Sequence, residues 1–504
     1  MRPPTNTSAF PPRPARVRRG PSLSRWAVCS AFAIGFACNR TDNPHEVYVP
    51  ISRGGDIAGA SSRGGAASGG ANTASNAGST TLGGSTGDER GGRTNEVEAG
   101  QAGSSGSSSE GGASPTEGGT AGSAGEAGGG NVEPSDLCGP APVNTVAFTR
   151  ENLRAAASDC AVWNYCRFEH AAERLSQAVH GYADAPTDAN QQAAQAAFRT
   201  AMLRWSRVEL FQFGPLASNS VSAGKDATYG QGIRDLIFSW PTSARCRVEE
   251  QLASRNFATR GMQGVLISAR GLFGLEYDLF YPGADSACAP GSTPVKTFAD
   301  IGETEVAARK REYAVALADD VLAQTRTLLQ RWSSDGGNFR QTFVSAAGYP
   351  SEQEALNVLG YALVYIEREV KDYKLGVPAG RIASSPVTVD ESPFAGLGTE
   401  NVRENLHGFR ALFQGCGEDG SGLGFDDWLE AAGHGELSRD ILAAYATAQA
   451  AADAFPPLHQ ATDAELNALF DTVKVLTDLI KRDLLGAGSP LGLKLPASSE
   501  GDTD

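Results

Sequence analysis

Ala269–Tyr281 reads ARGLFGLEYDLFY, and the folding of that stretch decides the rest. Leu272, Phe273, Glu276, Leu279 and Phe280 recur at steps of three and four, which places them on one face of a helix. That face is apolar apart from Glu276. Burying an unpartnered carboxylate is costly, so Glu276 must be paired, hydrogen-bonded, metal-bound or protonated. Gly271 opens the same turn and lets another backbone come close. Two readings follow. In one, Glu276 caps a neighbouring helix or bonds an Arg inside a bundle; in the other it is a functional carboxylate.

The same periodicity extends in both directions. Upstream, Leu153, Ala157, Cys160, Trp163, Ala171, Leu175, Ala178 and Tyr182 form one long stripe. Thr187 is placed to cap the next helix, which carries Phe198, Ala201, Trp205 and Val208. Residues 214–229 read as a Gly- and Ser-rich loop. Trp240-Pro241-Thr242 ends one segment and starts a short helix through Val248. Downstream, residues 288–297 read as a loop, with Pro290 and Pro294, and Glu303–Trp332 as a long helix. Ser351 starts a helix bearing Leu356, Leu359, Leu363, Ile366 and Val370 that ends before Gly376. Three further stripes follow: Val402 to Phe413, Leu437 to Ala448, and Leu466 to Leu484. No alternating strand pattern stands out. The prediction is an all-α body over residues 137–495, a helix bundle or two packed side by side. Residues 496–504 read as a frayed acidic tail.

Composition separates this body from what precedes it. The chain has 504 residues and 60 glycines, too many for one globular body, and the glycines cluster. Residues 1–25 carry six Arg and no acid; Trp26–Ala37 is an apolar run too short to cross a bilayer as an ordinary helix. Together they read as a signal peptide spanning residues 1–38. Two cleavage readings stand: an ordinary small-x-small site, or a lipoprotein site at Ala37-Cys38 with Cys38 lipidated as the new N-terminus. Residues 39–136 are mostly low-complexity Gly, Ser, Ala and Thr, and between Ser52 and Ser135 they contain no aromatic residue. Such a segment cannot bury enough apolar area to offset its ordering entropy. It reads as a flexible tether of root-mean-square span about 50 Å, suited to holding a domain off a membrane. The net charge of −15 argues against nucleic acid as a partner. Of eight cysteines, six fall in the body: Cys138, Cys160, Cys166, Cys246, Cys288 and Cys416. In an exported protein these most simply form disulfides, with the connectivity left open.

Several segments of the body, in order, resemble the imelysin-like family of bacterial envelope proteins. Ala269–Tyr281 is similar to its signature, Gly-x-His-x-x-Glu followed by an aromatic and aliphatic run. Gly271 and Glu276 match, and Phe273 stands where the family has His. WSRVELFQFGP (205–215), DLIFSWPTSARCRV (235–248), LVYIEREVKDYKLGVP (363–378) and the region from Glu400 to Trp428 ending in GLGFDDW are similar to other family segments. The resemblance implies two bundle-like halves related by duplication and a periplasmic or outer-membrane, cell-surface location. It also implies a link to metal, chiefly iron, and a proposed peptidase activity.

His and Glu three apart on a helix are neighbours and can share a metal. A phenyl ring at 273 donates no lone pair, so half of that pair is missing. Glu276 can still bind a divalent metal or iron with other carboxylates, and Glu209 is the best candidate partner. The alternative for Glu209 is a buried bond to an Arg such as Arg234 or Arg270. Asp235, Glu367 and Asp372 are lesser candidates, read as solvated or ion-paired. His170 and Glu173 repeat the His-x-x-Glu spacing, with His170 expected near solvent. His180 sits near a helix end; His407 and His434 have no acidic constellation. No H-E-x-x-H zinc-peptidase motif occurs. The one G-x-S-x-G, Gly83–Gly87, lies in the tether without the strand and helix of a nucleophile elbow. The sequence thus supports an exported, lipid-anchored protein with a metal ion or metal complex as ligand and the membrane, through Cys38, as partner. A non-catalytic surface module with a decayed metal site is the alternative, and a metallopeptidase is a third reading disfavoured by Phe273.

Overall fold

The stripes form helices, and their ends follow the capping chemistry. The computed structural model describes residues 137–218, 230–382 and 390–499. The signal segment, Cys38, the 39–136 tether, part of the 214–229 loop and the end of the tail lie outside the described residues. The first long stripe is α1 (Arg150–Asp184), capped by the Thr149 side chain. Thr187 accepts from the Asn190 N–H and opens α2 (Asp188–Val208), as its position predicts. Three short helices follow, α3 (Ile233–Ile237), α4 (Arg245–Ser254) and α5 (Asn256–Arg260). The helix expected from Thr242 thus begins three residues later. The decisive stretch is α6 (Gly271–Phe280).

The predicted 288–297 loop ends early. Pro294 lies in the first turn of α7 (Thr293–Trp332), where its missing N–H costs nothing. Gly302, at φ 76°, breaks that helix, so its long arm is the expected 303–332 segment. After α8 (Phe339–Val344), Ser351 caps α9 (Glu352–Leu363). The expected single helix from Ser351 changes hand-hold here: Ile366–Gly376 is wound as a π-helix, a rare form that tends to occur at functional positions. Next come α10 (Gly398–Phe413), α11 (Phe425–Ala431) and α12 (Gly435–Ala454). The last stripe is α13 (Asp463–Asp478), with a Thr462–Glu465 capping box, running into a π-turn over Leu479–Leu484.

No strand occurs among the described residues. In one packed group, α1 lies against α2 and α7, while α7 also packs on α4 and α6. In a second, α13 lies against α12 and the π-helix, and α10 against α12. The contact of α2 with α10 joins them. This is the all-α, two-part bundle that the sequence predicts. The six body cysteines pair as Cys138–Cys166, Cys160–Cys416 and Cys246–Cys288, the second cross-linking α1 to the segment just beyond α10.

Gly271 fulfils its expected role. It sits at φ +71°, and a Cβ there would lie 2.2 Å from the Ile237 carbonyl oxygen. Both the backbone conformation and the space demand glycine. Gly271→Ala is expected to cost about 2 kcal/mol, more than an ordinary surface change, read from the urea midpoint at unchanged m-value.

Candidate functional site

The apolar face of α6 packs inward, and Glu276 goes with it: it is 1% exposed. Its Oε1 accepts three hydrogen bonds, from Ser392 Oγ at 2.9 Å, the Phe394 N–H at 2.8 Å and the Ala395 N–H at 2.7 Å. These donors lie just before α10, so the carboxyl pins the segment that leads into the second helix group. Its Oε2 has no hydrogen-bond partner. Burial pushes Glu276 up to about 8; the three hydrogen bonds oppose that shift, and nearby Asp390 adds to it. Phe273, the residue in the signature's His position, is fully buried and meets the Phe394 ring edge-on at 6.2 Å. It packs on the same segment that Glu276 holds.

Glu209 follows α2 and is also fully buried. Its partner is not an Arg. Lys374, carried by the π-helix, places Nζ 2.5 Å from Glu209 Oε1 and 2.7 Å from Glu391 Oε1. Lys374 Nζ also donates to Asn405 Oδ1 at 2.8 Å, while Asn405 Nδ2 donates to Glu209 Oε1 at 2.9 Å. Asn401 Nδ2 donates to Glu391 Oε2 at 3.1 Å. Neither arginine considered for Glu209 hydrogen-bonds it: Arg234 donates to the Trp240 carbonyl while its charge acts on Glu209 from a distance, and Arg270 pairs with Asp320. One ammonium faces two carboxylates. Burial alone would lower Lys374, but Glu209 and Glu391 raise it, so it stays charged. Burial pushes Glu391 up to about 7, against the pull of Lys374.

The two predicted acids are therefore linked to one short segment, 390–395, one directly and the other through Lys374. Glu276 holds Ser392, Phe394 and Ala395, while Glu391 joins the Lys374 cluster that contains Glu209. The lesser acids are paired: Asp235 with Ser218 and Arg234, Glu367 with Lys371 and Lys481, and Asp372 with Lys371. Asp278, on α6 but not singled out by its sequence position, is buried with neither oxygen hydrogen-bonded. Burial raises it well above its ordinary range, with Lys310 opposing. His170 is partly exposed beside Glu173, and His180 pairs with Asp319.

As placed, these residues do not fit a bare metal ion. Among the described residues, neither Glu276 nor Glu209 belongs to a group of three or more His, Cys, Asp or Glu side chains with converging ligand atoms. Phe273 offers no donor, Glu276 Oε1 is saturated by three hydrogen bonds, and the Lys374 ammonium already neutralises Glu209. What remains open is one oxygen on each acid: Glu276 Oε2 and Glu209 Oε2 lack hydrogen-bond partners.

Comparison with known proteins places this chain in a lineage. The family model described as imelysin matches residues 161–482. Iron-regulated protein A of Synechococcus elongatus is 25% identical over 316 residues, covering 61% of this chain and 76% of that protein. The crystal structure of an imelysin-like protein from Psychrobacter arcticum 273-4 superposes with a TM-score of 0.50 at 16% identity, covering 69% of this chain and 99% of that one; this likeness speaks to the fold alone.

Proposed function

The chain belongs to the imelysin family, and from that premise we propose an exported, lipid-anchored envelope protein whose iron-linked role is non-catalytic recognition. The signature carboxylate acts in it as a structural lock. The observation that carries this reading is Glu276: one oxygen takes three hydrogen bonds from segment 390–395, and the neighbouring signature position holds a packed Phe273 in place of a ligand. The iron link is supported by the similarity to iron-regulated protein A. Export and anchoring are supported by the basic segment, short apolar run and Cys38, followed by the Gly-rich tether. Among the described residues no helix is long and apolar enough to cross a membrane. Periplasmic and outer-surface placement both suit the tether.

A second reading has Glu276, with Glu209, bind a metal ion or metal complex. The unpartnered Oε2 atoms favour it, and it requires segment 390–395 to move away. Calorimetric titration of the oxidised full chain with Fe, Zn, Ca and Cu salts separates the two. The first reading expects no saturable site that Glu276→Gln removes; a one-to-one site lost in Glu276→Gln and weakened in Glu209→Gln would establish the second. In cells producing the full chain, Cys38→Ser is expected to abolish fatty-acid labelling and release the protein from the membrane fraction. Unchanged labelling would overturn the anchor.

A further inference from the structure

Away from the signature helix, Cys138 and Cys166 lie with His170 at one spot on α1. Cys166 and His170 are four residues apart, hence on one face of the helix. Cys138 arrives from the strap that precedes α1. Their two sulfurs and one ring nitrogen all lie within 4.8 Å of one another, the single convergence of three such ligands among the described residues. The two cysteines are joined as a disulfide, and all three residues are partly exposed. By contrast, Cys160, Cys416 and Cys288 are buried.

We propose that Cys138, Cys166 and His170 form a thiol-switched site for a thiophilic divalent cation, with zinc the best match. Opening the disulfide does not require dismantling the core, because it ties only the strap to α1. The strap has a second attachment that survives reduction: Trp163 Nε1 donates to the Gly139 carbonyl at 3.1 Å. The Trp163 ring is in turn covered by the Arg167 guanidinium at 4.7 Å. Cys138 is thereby kept beside Cys166 once the covalent link is gone.

The chemistry balances with a dithiol as reductant. Its two thiols exchange with the Cys138–Cys166 bond; the reductant becomes a disulfide, and the two protein sulfurs gain two electrons and two protons. A divalent cation then displaces both thiol protons and is bound by two thiolate sulfurs and one imidazole nitrogen. Two sulfurs and a nitrogen are a soft set that suits tetrahedral zinc, with one position left for water or a substrate group. In the disulfide form the sulfurs carry no thiolate charge and the site is closed to the cation. The site is independent of Glu276, so its failure would leave the reading above untouched.

The test uses Co2+ as a spectroscopic probe on the full chain, before and after mild dithiol treatment and removal of the reductant. Alkylation and peptide mass identify which cysteines have opened, and far-ultraviolet circular dichroism confirms that the helices persist. The expected result is opening of Cys138–Cys166 first, then uptake of one Co2+ with thiolate charge-transfer absorption that Zn2+ displaces. Cys138→Ser/Cys166→Ser should abolish it, and His170→Ala should weaken binding about tenfold or more. The proposal is overturned if Cys160–Cys416 opens first. It is equally overturned if the reduced chain shows no thiolate absorption, if the double variant binds as wild type does, or if His170→Ala binds unchanged.

Discussion

Replacing Lys374 with Met is expected to cost about 3–5 kcal/mol of stability, the loss typical of removing one partner from a buried ion cluster. The cause is local. Lys374 is 2% exposed and faces Glu209 and Glu391, themselves at 0% and 1%. Take the ammonium away and two carboxyls share a dry site, each bonded by one Asn, with Arg234 the remaining buried cation acting on Glu209. Losing Lys374 removes what holds Glu391 down, so proton uptake on folding should rise and the variant should be weakest at alkaline pH. Adding Glu209→Gln should restore part of the loss, because it removes one of the stranded charges. Urea unfolding of the single and double variants near neutral pH measures both. Equal stability of wild type and Lys374→Met would show that the ammonium does not hold these acids.

The second large effect is at Glu276. Glu276→Ala strands a hydroxyl and two backbone N–H groups in the interior, each costing about 1–3 kcal/mol, so a loss of about 4 kcal/mol is expected. Glu276→Gln keeps an acceptor oxygen in place and should cost about 1 kcal/mol near pH 5. The pH dependence distinguishes this account from simple packing. Burial raises Glu276 from its ordinary 4.5 to about 8 in the folded chain. Between those values the folded state holds a proton that the unfolded state has released, so this group's contribution is greatest below pH 4.5 and is lost as pH rises toward 8. Glu276→Gln carries no such titration. The gap between wild type and Glu276→Gln should therefore narrow, or reverse sign, as pH climbs from 5 to 8. A gap constant with pH would mean that the carboxyl is already ionised in the folded protein.

Much of this architecture was readable before any coordinates. The stripes from Leu153 to Tyr182 and from Leu466 to Leu484 declare helices because burial imposes a 3.6-residue period. Thr187 and Ser351 declare starts because their hydroxyls satisfy orphan N–H groups. The same logic exposed Glu276, a lone acid on an apolar face, and Gly271, whose freedom is needed where the Ile237 carbonyl approaches. The partners were not readable. Ser392, Phe394 and Ala395 lie 116–119 residues downstream of Glu276, two of them acting through backbone N–H groups that carry no sequence mark. Lys374 lies in a segment read from the sequence only as the end of the helix from Ser351; its π-winding and the meeting of the helix groups bring it to Glu209. The sequence offers Glu209 a metal shared with Glu276 or a bond to an Arg such as Arg234 or Arg270, and Lys374 is neither. The disulfide between Cys160 and Cys416, 256 residues apart, depends on tertiary geometry that spacing does not encode.

Glu276 locks segment 390–395 instead of presenting itself to a ligand. Hydrogen–deuterium exchange at the Phe394 and Ala395 amides, in wild type, Glu276→Gln and Glu276→Ala, with and without ferrous ion, addresses that lock most directly. The account predicts strong protection in wild type, near-wild-type protection in Glu276→Gln, a loss of about a hundredfold or more in Glu276→Ala, and no change on adding iron. Fast exchange of both amides in wild type, or their release when iron is added, would contradict it.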